Sequence, residues 1–245
     1  DDGRMAAGRG LVGADGLWSV VAATVLDGAQ PRFSGRTAAR ALVAAEALCA
    51  PFNASLTGLW LGPKAHLVHY PVQGGAFVNI VAIMEGGRED AGWGTPADPA
   101  DLLAGFSGWT GPVRQLLQTI PSWRQWSLYE RPDLAQWTKG PVTVLGDAAH
   151  PLLPFLAQGA VLALEDAVCL AAAVAQSPDD LAVAFRGYAA ARQSRAHRVV
   201  RASRRNGTLY HLTGPAAIAR NLAIAWMKPE RLIGGYDWLY GYRPP

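Results

Sequence analysis

Three groups of residues in this 245-residue chain have the types and spacing to do chemistry. The first lies in GDAAHPLLPFLAQGAVLALED, residues 146–166, where Asp147 follows the apolar, β-branched run 141–145 and precedes a small-residue amphipathic run from 160 to 175. A strand, an acid, a turn punctuated by proline and glycine, and a helix mouth at Gln158-Gly159 together make a place to hold a polar cofactor. The carboxylate can take a sugar hydroxyl, and the helix opening offers N–H groups and partial positive charge. The second group is His66 and Tyr70 in AHLVHYP. On a strand, positions 66, 68 and 70 share one face and His69 points the other way, so His66 and Tyr70 can converge on one ligand. An unperturbed imidazole titrates near ~6.5 and can accept a phenolic proton at neutral pH. The third is Asp15-Gly16, an acid in a tight turn after an apolar stretch. Each group has a plainer alternative: a capping acid at Asp147, two half-buried sheet residues at His66 and Tyr70, and an ordinary turn at Asp15-Gly16.

The elements that must position these residues are legible in outline. Residues 9–14 read as a strand, and 40–48 are apolar and ambiguous between helix and strand. The runs 57–61, 65–71 and 77–84 are rich in Val, Ile, Leu and aromatics and are separated by Gly62-Pro63 and Gly74-Gly75. They read as successive antiparallel strands. Residues 86–98 read as loop, 101–106 and 112–120 as short helices, and 123–130 alternates as an exposed strand does. A strand at 142–145 follows, then helices near 158–176, 179–205 and 215–227. The layout is a sheet-rich middle flanked by parts of a nucleotide-binding layer.

Composition narrows the function classes. The formal charge of +3 argues for no particular partner, and no run approaches 18 apolar residues without a charge, so no membrane span is expected. Cys49 and Cys169 lack metal-ligand spacing and read as core residues of a cytoplasmic protein. Arg192, Arg195, Arg198, Arg201 and Arg204 recur every three residues. No aromatic stacking platform accompanies them, so they read as a solvated helix face rather than a nucleic-acid footprint.

The 146–166 stretch closely resembles the second flavin-binding motif of the FAD-dependent aromatic hydroxylases, the single-component flavoprotein monooxygenases: GDAAHP, then P-x-x-A-Q-G-A, then a helix carrying Glu165-Asp166-Ala167. LVGADGLWS, residues 11–19, resembles the family's internal Asp-Gly motif, and the wording is nearest the salicylate-hydroxylase-like branch. The resemblance implies an α/β (α+β) fold, a Rossmann-like FAD-binding domain with an inserted antiparallel-sheet substrate domain and C-terminal helices. The expected division is 1–30 for a remnant of the FAD domain with the Asp-Gly motif, 31–138 for the substrate domain, 139–205 for the C-terminal part of the FAD domain, and 206–245 for a helical extension. It further implies FAD and NAD(P)H as cofactors, and hydroxylation of a small salicylate- or hydroxybenzoate-like aromatic by molecular oxygen through a flavin hydroperoxide. Asp147 would bind the ribityl chain, and Pro154, Leu156, Ala157, Gln158, Gly159 and Ala160 would line the flavin edge. Asp15 would serve FAD and the pyridine nucleotide, while His66 and Tyr70 would line the substrate pocket with His66 as base. The family often has a basic residue about seven positions after the Asp-Gly acid, where this chain has Ala22.

Gly8, Gly10 and Gly13 have the spacing of a dinucleotide turn, but no strand precedes them, no helix is expected to follow directly, and no acid sits about 20 residues on. The expectation is therefore a partial FAD domain, the C-terminal two-thirds of a family member without its N-terminal G-x-G-x-x-G half. Its partners would be a complementing N-terminal half or a second copy of itself. The alternative function is a truncated, non-catalytic remnant acting at most as a folded or interaction module.

Overall fold

The computed structural model describes residues 3–87, 89–90, 92 and 94–244. The chain divides into two units. One comprises 1–32, 130–206 and 229–245, the other 33–129 and 207–228.

The first unit is built on a three-stranded sheet. β1 (Leu11–Gly13) pairs in parallel with β9 (Val142–Val144), which pairs antiparallel with β8 (Thr138–Lys139). Between β1 and the next strand comes α1 (Val20–Val25), a helix that the reading of Asp15-Gly16 as a turn did not anticipate. After β9 come α4 (Gly159–Gln176) and α5 (Leu181–Tyr210), whose residues from 207 belong to the second unit. Val144, Trp137, Phe185 and Tyr188 are at most 2% exposed and form the centre of its core. The glycines of GRGLVG serve this packing. A Cβ on Gly10 would lie 2.8 Å from Leu181 Cδ1, and one on Gly13 2.8 Å from Val21 Cβ. Neither has the room that a side chain needs.

The second unit holds a six-stranded sheet in the order β3-β4-β5-β2-β7-β6. Its members are β2 (Arg32–Ala44), β3 (Gly58–Gly62), β4 (Ala65–Val72), β5 (Phe77–Glu85), β6 (Thr95–Pro96) and β7 (Arg124–Glu130). The expected antiparallel β3-β4-β5 meander is present, and β4 runs against β5 from Ala65↔Met84 to Val72↔Phe77. The ambiguous 40–48 segment begins inside β2, which pairs with β5 from Arg36↔Glu85 to Ala44↔Phe77. A ready partner strand overrides the weak local preference of an alanine-rich run. Alternation puts Ala39, Ala41, Leu67, Ile80 and Ala82 on one face, packed with Leu102, Phe106, Leu116 and Leu117 from α2 (Pro99–Gly105), α3 (Pro112–Thr119) and the residue after α2. The opposite face carries His66, Tyr70, Asn79 and Arg40.

Three expectations need correction. β7 is not an exposed strand: Ser127 and Leu128 are each 6% exposed, because β2 and β6 flank it. Cys49 is exposed rather than core. The arginine stripe is not simply a solvated face, since Arg192 is 0% exposed. Part of the expected 86–98 loop, residues 88, 91 and 93, lies outside the described residues. By length and mean hydropathy, 1.6, α4 could cross a bilayer. It nonetheless carries Glu165 and Asp166 at its centre, both tied into ion pairs of its own unit, as in a packed helix.

Candidate cofactor and substrate site

In the first unit the GDAAHP segment leaves β9 through Gly146, whose φ of 58° suits glycine. Asp147 follows, exposed, and a Cβ built on Gly159 would come 4.0 Å from its Oδ1, so the acid and the mouth of α4 adjoin. Burial raises the Asp147 pKa against the opposing pull of His150 and Arg131. The N-cap of α4, Gln158, makes no side-chain capping bond. The first-turn N–H groups are thus left for a ligand with partial negative charge. Ala157 holds φ at 52°, unusual for a residue with a Cβ, and strain of this kind gathers at functional loops. Pro154 and Ala160 are exposed, Gly159 is partly so, and Gln158 is 5% exposed. Leu156 is 8% exposed and packs with Leu162, Val199 and Leu239, so its side chain is core.

What fixes this loop is a buried ion network. Asp166, 0% exposed, accepts from Gly146 N (2.9 Å), His150 Nε2 (2.6 Å) and Arg192 Nε (2.8 Å). Glu165 accepts from Arg192 (2.7 Å) and twice from Arg195 (2.7 Å each). Burial opposes ionisation of both acids, but the hydrogen bonds and cations prevail and hold both pKa values low. His150 therefore clamps the loop. The Glu165-Asp166 pair likewise joins loop to helix.

Asp15 is engaged locally. Its Oδ1 accepts from Ser19 Oγ (2.6 Å), and its Oδ2 accepts from Val20 N (2.8 Å) and Val21 N (3.3 Å) at the start of α1. Burial opposes, but these bonds lower its pKa. Sequence reasoning missed Arg131, 3% exposed, which donates from its NH2 group to the Ala148 carbonyl and leaves Nε without a partner among the described residues. Burial lowers its pKa, and the charges of Asp15 and Asp147 oppose that shift. An orphaned donor beside the loop, an uncapped helix mouth and a free acid together fit a group carrying hydroxyls and a polar ring. The first unit can hold FAD through Asp147, residues 157–160 and Arg131.

In the second unit His66 is 1% exposed and shares a face of β4 with Tyr70, as the alternation required, while His69 lies on the other face and accepts from Trp60 Nε1 (3.1 Å). Burial, with His211 and Arg36 adding to it, pushes the His66 pKa down to about 3. His66 Nδ1 lies 2.7 Å from His211 Nε2, and His211 Nδ1 lies 3.0 Å from Glu85 Oε1. Nothing in the sequence marked this pair, whose members are 145 residues apart. Tyr70 stands opposite Asn79, which is 0% exposed, accepts from Arg40 Nε and has no partner for its Nδ2 among the described residues. Arg40 borders a cavity of about 560 Å³ that Leu42, Arg124 and Trp126 also line.

The geometry agrees with what the chain is similar to. The model of the family described as "FAD binding domain" matches residues 8–203. A 3-hydroxybenzoate 6-hydroxylase 1 of Aquipseudomonas alcaligenes is 37% identical over 98% of this chain and 61% of its own length. A second such enzyme of that organism, 3-hydroxybenzoate 6-hydroxylase 2, is 38% identical over 96% of this chain and 73% of its own length. A solved salicylate hydroxylase substrate complex superimposes with a TM-score of 0.83 at 27% identity, covering 99% of this chain and 64% of that one. The chain thus spans about three-fifths of the length of the first of these relatives. The match corrects one expectation. The reading of a partial FAD domain, a fragment lacking its N-terminal half, gives way to a family model that runs from residue 8 through β1 and the Asp-Gly segment to residue 203.

Proposed function

This chain belongs to the FAD-binding family of the aromatic hydroxylases, and from that premise we propose that the protein is an FAD- and NAD(P)H-dependent monooxygenase that hydroxylates a small aromatic carboxylate or phenol in the cytoplasm. The observation that carries the reading is the GDAAHP loop, held by Asp166 and His150 so that Asp147 adjoins the uncapped mouth of α4. When bound, FAD would supply oxygen activation after reduction by NAD(P)H.

The protein's own residues have separate tasks. Asp147 takes a hydroxyl of the cofactor's sugar-alcohol chain. The N–H groups at 159–160 stabilise negative charge on its ring, and the absent Cβ of Gly159 permits that approach. Arg131 balances the two acids Asp15 and Asp147. Asp15, engaged in holding α1, supports this unit, and with Ala22 in place of a cation the phosphates of the pyridine nucleotide must find their charge elsewhere. In the sheet-bearing unit, His66 and Tyr70 are the groups for a phenolic substrate. Arg40, anchored on Asn79 and without an acidic partner among the described residues, suits its carboxylate.

The test is a flavin spectrum of the purified protein titrated with FAD and then with salicylate or 3-hydroxybenzoate. The expected result is a bound flavin whose absorbance shifts with ligand, accompanied by ligand-dependent NAD(P)H oxidation, with Asp147→Ala weakening FAD binding about tenfold or more. A protein that binds FAD but neither ligand would overturn the substrate class, and one that binds no FAD would overturn the reading entirely.

A further inference from the structure

Two arginines of the α5 row, Arg195 and Arg198, find partners in a part of the chain that carries none of the cofactor motifs. After α6 (Gly214–Trp226) the chain re-enters the first unit as α7 (Pro229–Gly234) and the single turn α8 (Asp237–Tyr240). Leu239 is 2% exposed and belongs to one apolar cluster with Leu156, Leu162 and Val199, against which Leu152 also packs. Leu152 and Leu156 lie in the loop between GDAAHP and α4, so α8 and that loop share a core. They share it from the rear of the loop, since Leu156 is buried whereas Pro154 and Ala160 are exposed.

Arg195 ties the same segment to α4. Its Nε and one terminal nitrogen donate to the two oxygens of Glu165 (2.7 Å each), and its terminal nitrogens also donate to the carbonyls of Trp238 and Leu239 (3.0 Å each). The rigid fork of a guanidinium can serve an acid and two carbonyls at once, which an ammonium could not do with the same geometry. Arg195 Cζ lies over the Tyr242 ring, 3.7 Å from its centroid, and Arg198 Cζ lies over Trp238 at 3.9 Å. The Asn206 amide donates to the Tyr236 hydroxyl (3.2 Å). Residues 236–242 are thus fastened along α5 by stacking, by hydrogen bonds and by one buried leucine.

The loop needs such backing. Ala157, next to Leu156, holds φ at 52°. A residue with a Cβ keeps that angle only where its surroundings over-determine it. Asp166 and His150 fix the GDAAHP end of the segment, and Ser203 Oγ of α5 donates to the Leu153 carbonyl (2.7 Å). Leu156 is held by the cluster that Leu239 completes. Removing the Leu239 side chain leaves a cavity into which Leu156 can turn, and Ala157 can then relax to an ordinary negative φ. The N–H groups of residues 159 and 160 follow within three residues, so their place beside Asp147 depends on the same packing.

We propose that residues 236–242 form a strap that sets the cofactor loop from behind, with Trp238, Leu239 and Tyr242 as positioning residues for FAD that act through Leu156 and Glu165. The proposal rests on the FAD-binding reading given above. It makes binding and strapping reciprocal: a fastened strap favours FAD, and FAD favours the fastened strap by the same factor. A segment that served stability alone would shift unfolding and leave the affinity of the folded protein where it was.

The experiment measures FAD affinity by quenching of flavin fluorescence, at a temperature where circular dichroism shows each variant folded, and backbone hydrogen exchange with and without FAD. Leu239→Ala should weaken FAD about tenfold, and Leu239→Met should restore the affinity to within about twofold of wild type. Tyr242→Leu, at a partly exposed position, should weaken FAD about threefold. Phe185→Leu thins the other apolar cluster of the same unit and should lower stability with affinity unchanged. In the wild-type protein FAD should slow exchange at the amides of Leu239, Tyr240 and Gly241, which donate to the carbonyls of Tyr236 and Asp237. Wild-type affinity in folded Leu239→Ala, an equal loss in Phe185→Leu, or exchange at 239–241 indifferent to FAD overturns the strap and leaves the FAD reading standing. Should Leu239→Ala not fold, wild-type affinity in Tyr242→Leu overturns it instead. A wild-type protein that binds no FAD overturns both.

Discussion

Two buried polar clusters are built on opposite principles. In the first unit Asp166, Glu165, Arg192 and Arg195 meet as charges with His150 beside them, each acid taking three hydrogen bonds. In the second, His66 and His211 meet as neutral rings, with one carboxylate at the surface end. Burial penalises the charged form in both. In the first, enough opposite charge and donors are present to keep the acids ionised. In the second there are not, and His66 stays neutral. The difference teaches what each is for. A cluster of paired charges has one arrangement and fixes a loop, whereas the second cluster avoids charge at its buried end.

Breaking the first cluster should have the largest effect on stability. Arg192→Leu removes the partner shared by Asp166 and Glu165, and urea denaturation should show a loss of about 3–5 kcal/mol, with weakened FAD binding because the GDAAHP loop is released. Glu85→Gln, by contrast, should lie within about 0.5 kcal/mol of wild type. A large loss there would erase the contrast between a buried structural acid and a partly exposed one.

Overpacking comes next. Gly13→Val places a side chain where even a Cβ would lie 2.8 Å from Val21, and should cost about 1–3 kcal/mol by the same measurement.

Acid separates the two clusters by pH window. The folded pKa of His66 lies below its unfolded value of 6.5, so its contribution is complete above that pH and is lost as pH falls toward 3, at up to about 1.4 kcal/mol per unit. Asp166 is also depressed, but from 3.8, so its contribution is lost only at lower pH. Stability measured from pH 7 to 5 should therefore fall in the wild-type protein and fall less steeply in His66→Leu. Equal slopes would show that His66 is not held neutral by the fold.

The smallest effect is expected at the strained loop. Ala157→Gly relieves a φ of 52° and should stabilise by up to about 1 kcal/mol while loosening the approach to α4. A lower melting temperature would mean that the alanine methyl packs better than its backbone angle costs.

What the residues announced by themselves was whatever depends on neighbours in the chain. The β3-β4-β5 meander followed from apolar runs and glycine turns, the His66–Tyr70 face from a period of two, and the Asp147-to-α4 geometry from a strand, a turn and a helix mouth within twenty residues. Local periodicity constrains such features before any tertiary contact forms. The assignment of 40–44 to β2, the burial of β7 and the role of GRGLVG as a packing surface depended on partners elsewhere in the chain. The burial of Arg192 reversed the reading of the arginine stripe, because an arginine is exposed or buried according to whether carboxylates such as Asp166 and Glu165 arrive beside it. His211 and Glu85 are the extreme case. They lie 145 and 19 residues from His66, and only the closing of a sheet against the end of a helix brings the three into one hydrogen-bonded line. Charge and burial are properties of the assembled neighbourhood, so which acids are held ionised and which histidine is held neutral was decided by the tertiary structure.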